Sequence, residues 1–195
     1  MSEAVTQVVR EKEGLPGDLA IWFFIMAELL VFGVFFIVYV FVRSNNVELF
    51  NTYQLELHRM AGAINTIALI TSSYFVAMGV HAIKNGNIKQ TGNMLLLALA
   101  MGFVFLIVKL WEYSHVFGAG INLSTNTFYT FYISLTFFHF MHVMMGMVIL
   151  GALYYYLKQG AYSAEEHRGI ETGASYWHMV DLVWIILFPL VYIIR

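Results

Sequence analysis

The sequence predicts an all-α membrane protein: a bundle of five transmembrane helices, with the N-terminus in the cytoplasm and the C-terminus outside. Three observations carry that reading. The chain is 60% hydrophobic and only 11% charged, whereas a soluble domain carries about a quarter charged residues, so it has too little polar surface to face water. Its apolar residues gather into five segments of roughly the 20 residues that a bilayer requires. Lys and Arg are divided unequally between the two sets of connections, and that bias sets orientation.

Residues 1–18 read as a cytoplasmic tail, closed by Leu15-Pro16-Gly17-Asp18, with Asp18 as the N-cap of the first span. The tail lacks the apolar core and small-residue cleavage site of a signal peptide, so the first span is expected to act as its own insertion signal. Residues 19–195 form one membrane domain, with spans expected at about 19–42, 60–83, 92–113, 127–157 and 174–194. Between the first two lies RSNNVELFNTYQLELHR, where Leu49, Tyr53 and Leu57 recur at the spacing of a short interfacial helix. Lys84-Asn85-Gly86-Asn87 makes a tight turn, and GAGINLSTN separates the third span from the fourth. The fourth exceeds the hydrocarbon thickness and is expected to tilt or project. Arg10, Lys12, Lys84, Lys89, Lys158 and Arg168 fall on the tail side, against Arg43, Arg59 and Arg195 on the other.

Composition also excludes functions. There are no cysteines, which removes disulfides, thiolate zinc, iron–sulfur clusters and cysteine-ligated copper. A formal net charge of −2 without a basic stripe excludes nucleic acid as a partner. Small residues suit close helix packing at Ser72, Ser73, Ala77 and Gly79 in the second span and at Gly146 and Gly151 in the fourth. Trp22, Trp111, Tyr154 to Tyr156, Trp177 and Tyr192 read as interfacial anchors.

Few ionisable residues lie inside the spans, and each needs a partner or a wet groove. Glu28 falls nine residues into the first span, ~14 Å below its start. It is either a proton-exchanging or lipid-contacting acid, or a neutral carboxyl bonded to a neighbouring helix, with Asn65 and Thr66 as candidate partners. His139 and His142, at i and i+3, share a helix face. Two imidazoles so placed suit a metal, but a third ligand at the same depth is missing, so interhelical hydrogen bonding is the favoured reading. Lys109, Glu112 and His115 look like a helix-end ion pair with a capping histidine. Glu165, Glu166, His167, Arg168 and Glu171 precede the fifth span; Arg168 suits a lipid phosphate, or the run is a solvated loop. His178 and Asp181, one turn deeper on one face, read as ordering that same groove.

At these residues the chain resembles subunit III of the haem–copper oxidases. ETGASYWHMVDLVWIILF is similar to the family's glutamate-to-WH-x-VD-x-VW signature, FHFMHVMMG to its FH-x-x-HV-x-x-G helix, KLWEYSH to its E-Y segment, MAELLVF to its SE-x-x-xF helix and AINTIALITSS to its N-T-x-x-L-x-x-SS helix. The pieces come in order across Asp18 to Arg195. The resemblance implies a non-redox subunit beside the catalytic haem–copper subunit I, and with it subunit II, in a bacterial cytoplasmic membrane. Haem and copper are then expected in the partners, with no cofactor in this chain beyond phospholipid. Glu28 matches the family's carbodiimide-reactive membrane carboxyl, and Glu112, His139, His142, Glu171, Trp177, His178 and Asp181 occupy motif positions. The implied role is stabilising the catalytic subunit, supporting proton uptake and binding lipid in a cleft.

Two departures stand out. The long form of the family has seven helices, and counterparts of its first two, which wall the lipid cleft, are missing here, as in short bacterial forms. The serine before the family's glutamate is Ala27. Short relatives also serve nitric-oxide reductases and quinol oxidases, which is the alternative within this class. Outside it stand a metal- or haem-binding protein using His139 and His142, and a small transporter using Glu28. The transporter lacks the inverted repeat and broken helices that class uses.

Overall fold

In the computed structural model, which describes residues 18–194, the chain is a helical bundle whose elements reflect the pattern of the sequence. They are α1 (Leu19–Ser44), the short α2 (Val47–Gln54), α3 (Arg59–Lys84), α4 (Ile88–Gly118), α5 (Thr127–Lys158) and α6 (Arg168–Phe188). A π-helical turn, Pro189–Ile193, continues α6. Five of these are long and apolar enough to cross a bilayer, the last counted as Arg168–Ile193. The tail expected over residues 1–17, and Arg195, lie outside the described residues.

Three of the helix starts, those of α1, α4 and α5, carry side-chain caps. Asp18, Asn87 and Asn126 each accept a hydrogen bond from a backbone N–H in the first turn of the helix they precede. Helix ends are set by Gly86, Gly120 and Gly160, with φ of 74°, 77° and 78°. Each lets the chain turn back so that paired N–H groups close on the last free carbonyls, as in Asn87 N to Ala82 O at 2.9 Å and Gly86 N to Ile83 O at 2.9 Å.

Four boundaries differ from expectation. The third span is a 31-residue helix beginning at Ile88 and ending at Gly118, because the Asn87 cap starts it early and KLWEYSHVFG remains helical to the turn at Gly120. The fifth begins at Arg168, so the hydrophilic run expected as a connection supplies its first turn. It also stops being α-helical at Phe188, because Pro189 has no N–H to donate and its ring crowds the preceding turn.

α3 and α4 form the tightest antiparallel pair, α5 and α6 close a four-helix core with them, and α1 packs outside against α6 and α5. Its buried residues, Ile25, Phe32, Tyr39 and Arg43, form one narrow stripe near a seven-residue repeat. The core is strongly aromatic. Trp177 and Tyr192, expected as interfacial anchors, are 1% and 0% exposed: glycines on facing helices leave room for the indole, and the π turn carries the phenol inward. Trp111, Tyr155 and Tyr156 are the exposed aromatics that remain compatible with a belt.

The small residues divide in the same way. Ser72 donates to Ala98 O at 2.8 Å across the α3–α4 contact, and Gly79 lies against Met94. A Cβ on Gly146 would stand 2.7 Å from Trp177, whereas one on Gly151 would meet nothing within 4 Å. Gly151 and the exposed Ala77 are therefore not packing positions in this bundle.

Candidate functional site

Glu28 meets His142, not Asn65 or Thr66. Its Oε2 lies 3.1 Å from His142 Nε2, because α1 packs on α5 and α6 while α3 stands on the far side of α6. Thr66 instead donates to Gly62 O and accepts from Trp184 Nε1 at 3.0 Å. Asn65 is fully buried, with no hydrogen-bond partner for its amide among the described residues. The opposite ring nitrogen of His142 faces Phe138 O at 2.8 Å. A carbonyl can only accept, so Nδ1 carries a hydrogen, and the Nε2···Oε2 contact then requires one shared proton. The contact thus joins a carboxyl of α1 to an imidazole of α5 through one hydrogen. Phe32 and Phe138 pack on the imidazole at 5.2 and 4.7 Å between ring centroids.

His139, expected to act with His142, bonds a different helix. Its Nε2 meets Val180 O of α6 at 3.1 Å, and Phe105 and Trp184 pack against its ring. Sharing a face of α5 put the two imidazoles at neighbouring clefts, not at a common point. Among the described residues, no group of three His, Cys, Asp or Glu is placed to hold a metal ion.

Toward the tail side, α1, α5 and α6 line a half-open cavity of about 480 Å³. Ile21, Ile149, Leu153 and Tyr176 give it apolar walls, and Arg168 with Thr172 and Asp18 supplies the polar groups. Asp18 N donates to Thr172 Oγ1 at 3.1 Å, tying the start of α1 to α6. The Tyr176 hydroxyl donates to His142 O at 3.3 Å, so one wall residue of the cavity touches the backbone of the Glu28 partner. In the loop just above, burial pushes the Tyr162 phenol above its ordinary pKa. An apolar slot with one guanidinium among its polar groups has the chemistry to take an acyl chain and a phosphate.

The rest of the signature lies on the opposite side of α6. Glu171 Oε1 pairs with Lys84 of α3 at 2.7 Å and with His167 at 3.5 Å. Ser73 Oγ meets His178 Nδ1 at 2.6 Å, and the same hydroxyl interacts with Asp181. His178 and Asp181 therefore do not order the Arg168 groove. The run from Glu165 to Glu171 splits because neighbouring residues of one helix point to different sides. Trp177 fills the space against Gly146 and Gly102.

Lys109 and Glu112, expected as a helix-end pair, are 0% and 1% exposed. α4 runs to Gly118, which sets them well inside the helix. Lys109 Nζ donates to Glu112 Oε2 at 2.9 Å and to Tyr192 OH at 2.7 Å, and Tyr192 OH donates to Glu112 Oε1 at 2.8 Å. Rings of Tyr113, Tyr132, Trp184 and Tyr192 surround the ammonium at 4.9 to 5.8 Å. His115 caps nothing beyond its own helix, bonding Trp111 O at 3.1 Å. Tyr192 was the member of this network hidden from the sequence, where KLWEYSH gives no sign of a partner 80 residues on.

The Cytochrome c oxidase subunit III family model matches residues 6–195. The chain belongs to the cytochrome c oxidase subunit III family. It is 35% identical over 177 residues to a cytochrome c oxidase subunit 3 of Thermostichus vulcanus, covering 90% of this chain and 86% of that protein. It is 36% identical over 172 residues to one of Synechocystis, covering 88% and 72%. A haem–copper oxidase subunit I+III of Aeropyrum pernix is 31% identical over 181 residues, 90% of this chain and 22% of that longer protein. As a subunit III of a haem–copper oxidase, the chain is a membrane protein that associates with the catalytic subunits of that enzyme.

Proposed function

We propose that this subunit III is a non-redox component flanking catalytic subunit I, with subunit II in the same complex. In this reading it stabilises the catalytic subunit, holds a phospholipid in the Arg168 cavity, and supports proton uptake through Glu28. The Glu28–His142 contact carries it: a carboxyl and an imidazole sharing one proton in the span of an otherwise apolar helix form a site that exchanges protons and has no structural need to be ionisable. The Aeropyrum protein, whose name joins subunits I and III in one chain, supports close association of the two units. Haem and copper belong to the partners, and the electron donor is a cytochrome c, as the names of the Thermostichus and Synechocystis relatives suggest.

The membrane is the bacterial cytoplasmic membrane, with the tail inside. Supporting this orientation, Lys84, Lys89, Lys158 and Arg168 lie at the tail-side ends of the helices. On the other side Arg43 is consumed internally, donating to Ile194 O and to Asn51 Oδ1. The test is to purify the tagged chain from its host and compare Glu28→Gln with the parent. The parent is expected to bring down a haem-bearing partner and, stripped of it, to show no Soret band. Glu28→Gln is expected to assemble normally, to lose carbodiimide labelling, and to inactivate sooner during turnover. A Soret band in the isolated chain, or failure of the Gln variant to assemble, would overturn the proposal.

A further inference from the structure

The four described lysines divide into two kinds. Lys84 pairs with Glu171 at 2.7 Å and Lys109 with Glu112 at 2.9 Å. Neither Lys89 nor Lys158 has an acid partner among the described residues. Both line one half-open cavity of about 410 Å³, between the start of α4 and the end of α5. Ile88 and Leu157 give it apolar walls, and Asn93 adds an amide. The Lys158 ammonium stands 5.6 Å from the Tyr154 ring centroid, a contact that steadies the cation without neutralising it. Lys89 is the second residue of α4 and Lys158 the last of α5, so both stand at tail-side helix ends, where headgroup phosphates lie. Beneath the cavity an apolar track continues. Lys89, Asn93, Leu96, Ala100 and Phe103 recur at helical spacing along one side of α4, with Leu96 and Phe103 43% and 56% exposed. On α5, one turn below Tyr154, a Cβ on Gly151 would meet nothing within 4 Å. From Asn93 to Phe103 the track descends ~15 Å, about half of the hydrocarbon thickness and so the reach of one leaflet's acyl chain. This cavity shares no lining residue with the one at Arg168, which meets α5 through Ile149 and Leu153.

Two ammonium groups at one cavity repel each other, and an anion between them removes that repulsion. It also supplies acceptors for donors that have none, since lysine only donates. A free anion would use the charge and leave the apolar track empty. A zwitterionic lipid would fill the track but bring a cation of its own to the lysines. A lipid with a net negative headgroup meets both demands, and basic pockets between membrane helices bind such headgroups. We propose that the α4–α5 cavity binds an anionic phospholipid of the tail-side leaflet, its phosphate held by Lys89, Lys158 and Asn93 and one acyl chain lying along Leu96 and Phe103. The site is separate from the Arg168 cavity, and the proposal does not depend on what that cavity holds.

The test uses the assembled oxidase in nanodiscs of equal parts phosphatidylglycerol and phosphatidylcholine. p-Benzoylphenylalanine is placed at Leu96, beneath the cavity, and separately at Ile37 of α1, which is 71% exposed. Mass spectrometry of the photoadducts counts each lipid. The Leu96 probe is expected to take phosphatidylglycerol about five- to twentyfold over phosphatidylcholine, because each lysine near an anionic headgroup favours it about fivefold. The Ile37 probe is expected to show no preference. Lys89→Gln/Lys158→Gln is expected to bring the Leu96 ratio to parity, while Lys89→Arg/Lys158→Arg keeps it, which separates loss of charge from a disturbed fold. The proposal is overturned if the Leu96 probe shows no preference in the parent, if the preference survives Lys89→Gln/Lys158→Gln, or if Ile37 shows it equally. Inorganic phosphate is expected to lower the ratio no more than sodium chloride does at the same ionic strength. Abolition by phosphate but not by chloride would make this a free-anion site and overturn the lipid assignment. Adducts chiefly with polypeptide would show that another chain fills the groove, and would overturn it as well.

Discussion

The Lys109–Glu112 pair is the residue-scale feature with the largest energetic consequence. Two opposite charges removed from water are held by Tyr192 and Tyr132 and by the ring faces around the ammonium. Lys109→Met would leave Glu112 ionisable and buried with its cation gone. Such a change is expected to destabilise the bundle by about 3–5 kcal/mol, and Lys109→Met/Glu112→Leu should recover most of the loss. Reversible unfolding in mixed micelles checks both, and a single variant as stable as the parent would show that the pair is not held as a charged unit. At Glu28 the opposite design operates. Its pair with His142 is part-exposed and spans 3.1 Å, so its removal should disturb chemistry more than folding.

At the scale of elements, helix approach is controlled by where glycine stands opposite a large side chain. Gly146 of α5 faces the Trp177 ring of α6, and Gly62 of α3 faces Phe188 at the end of α6. Gly146→Ala is expected to cost about 1–3 kcal/mol by overpacking. Gly151→Ala, in the same helix with open space, should be neutral or stabilising by roughly 0.5–1 kcal/mol through helix propensity. Thermal unfolding of the two purified variants tests the contrast, and equal effects would mean that the α5–α6 contact yields without cost. The π turn after α6 is the other decisive element. Val191 O accepts from Gln54 of α2 at 2.9 Å, and Tyr192 reaches the buried ion pair, so the end of the chain is bound to α2 and α4. Pro189→Ala is expected to permit continued α-helix, turn Tyr192 out of the network and lower the unfolding midpoint. An unchanged midpoint would show that other contacts hold the turn.

For the whole molecule, the arrangement separates two sides of α6. One, with α1 and α5, holds the Arg168 cavity and the Glu28 pair; the other, with α3, holds Glu171, His178 and Asp181. Orientation is decided at this scale. Because the chain has no cysteine, single cysteines at the exposed loop positions Ser124 and Ser163 report topology directly. With the tail inside, Ser124→Cys should react with a membrane-impermeant maleimide in intact cells, and Ser163→Cys only after permeabilisation. The reverse pattern would invert the orientation.

Composition and segment length by themselves determined the membrane bundle, its five spans and the Asp18 cap that starts the first, because bilayer thickness and backbone satisfaction act on local sequence. The signature residues were also legible, since spans this apolar keep few ionisable groups. Their partners were not. Asn65 or Thr66 as the neighbour of Glu28, a common groove for Arg168 and Asp181, and a helix-end role for Lys109 were each reasonable along the chain and wrong in space. Which helix lies beside which is decided by packing between faces far apart in sequence. A single helical turn sends adjacent residues to different neighbours, so only the tertiary structure could bring His142 to Glu28, Ser73 to His178 and Tyr192 to Glu112.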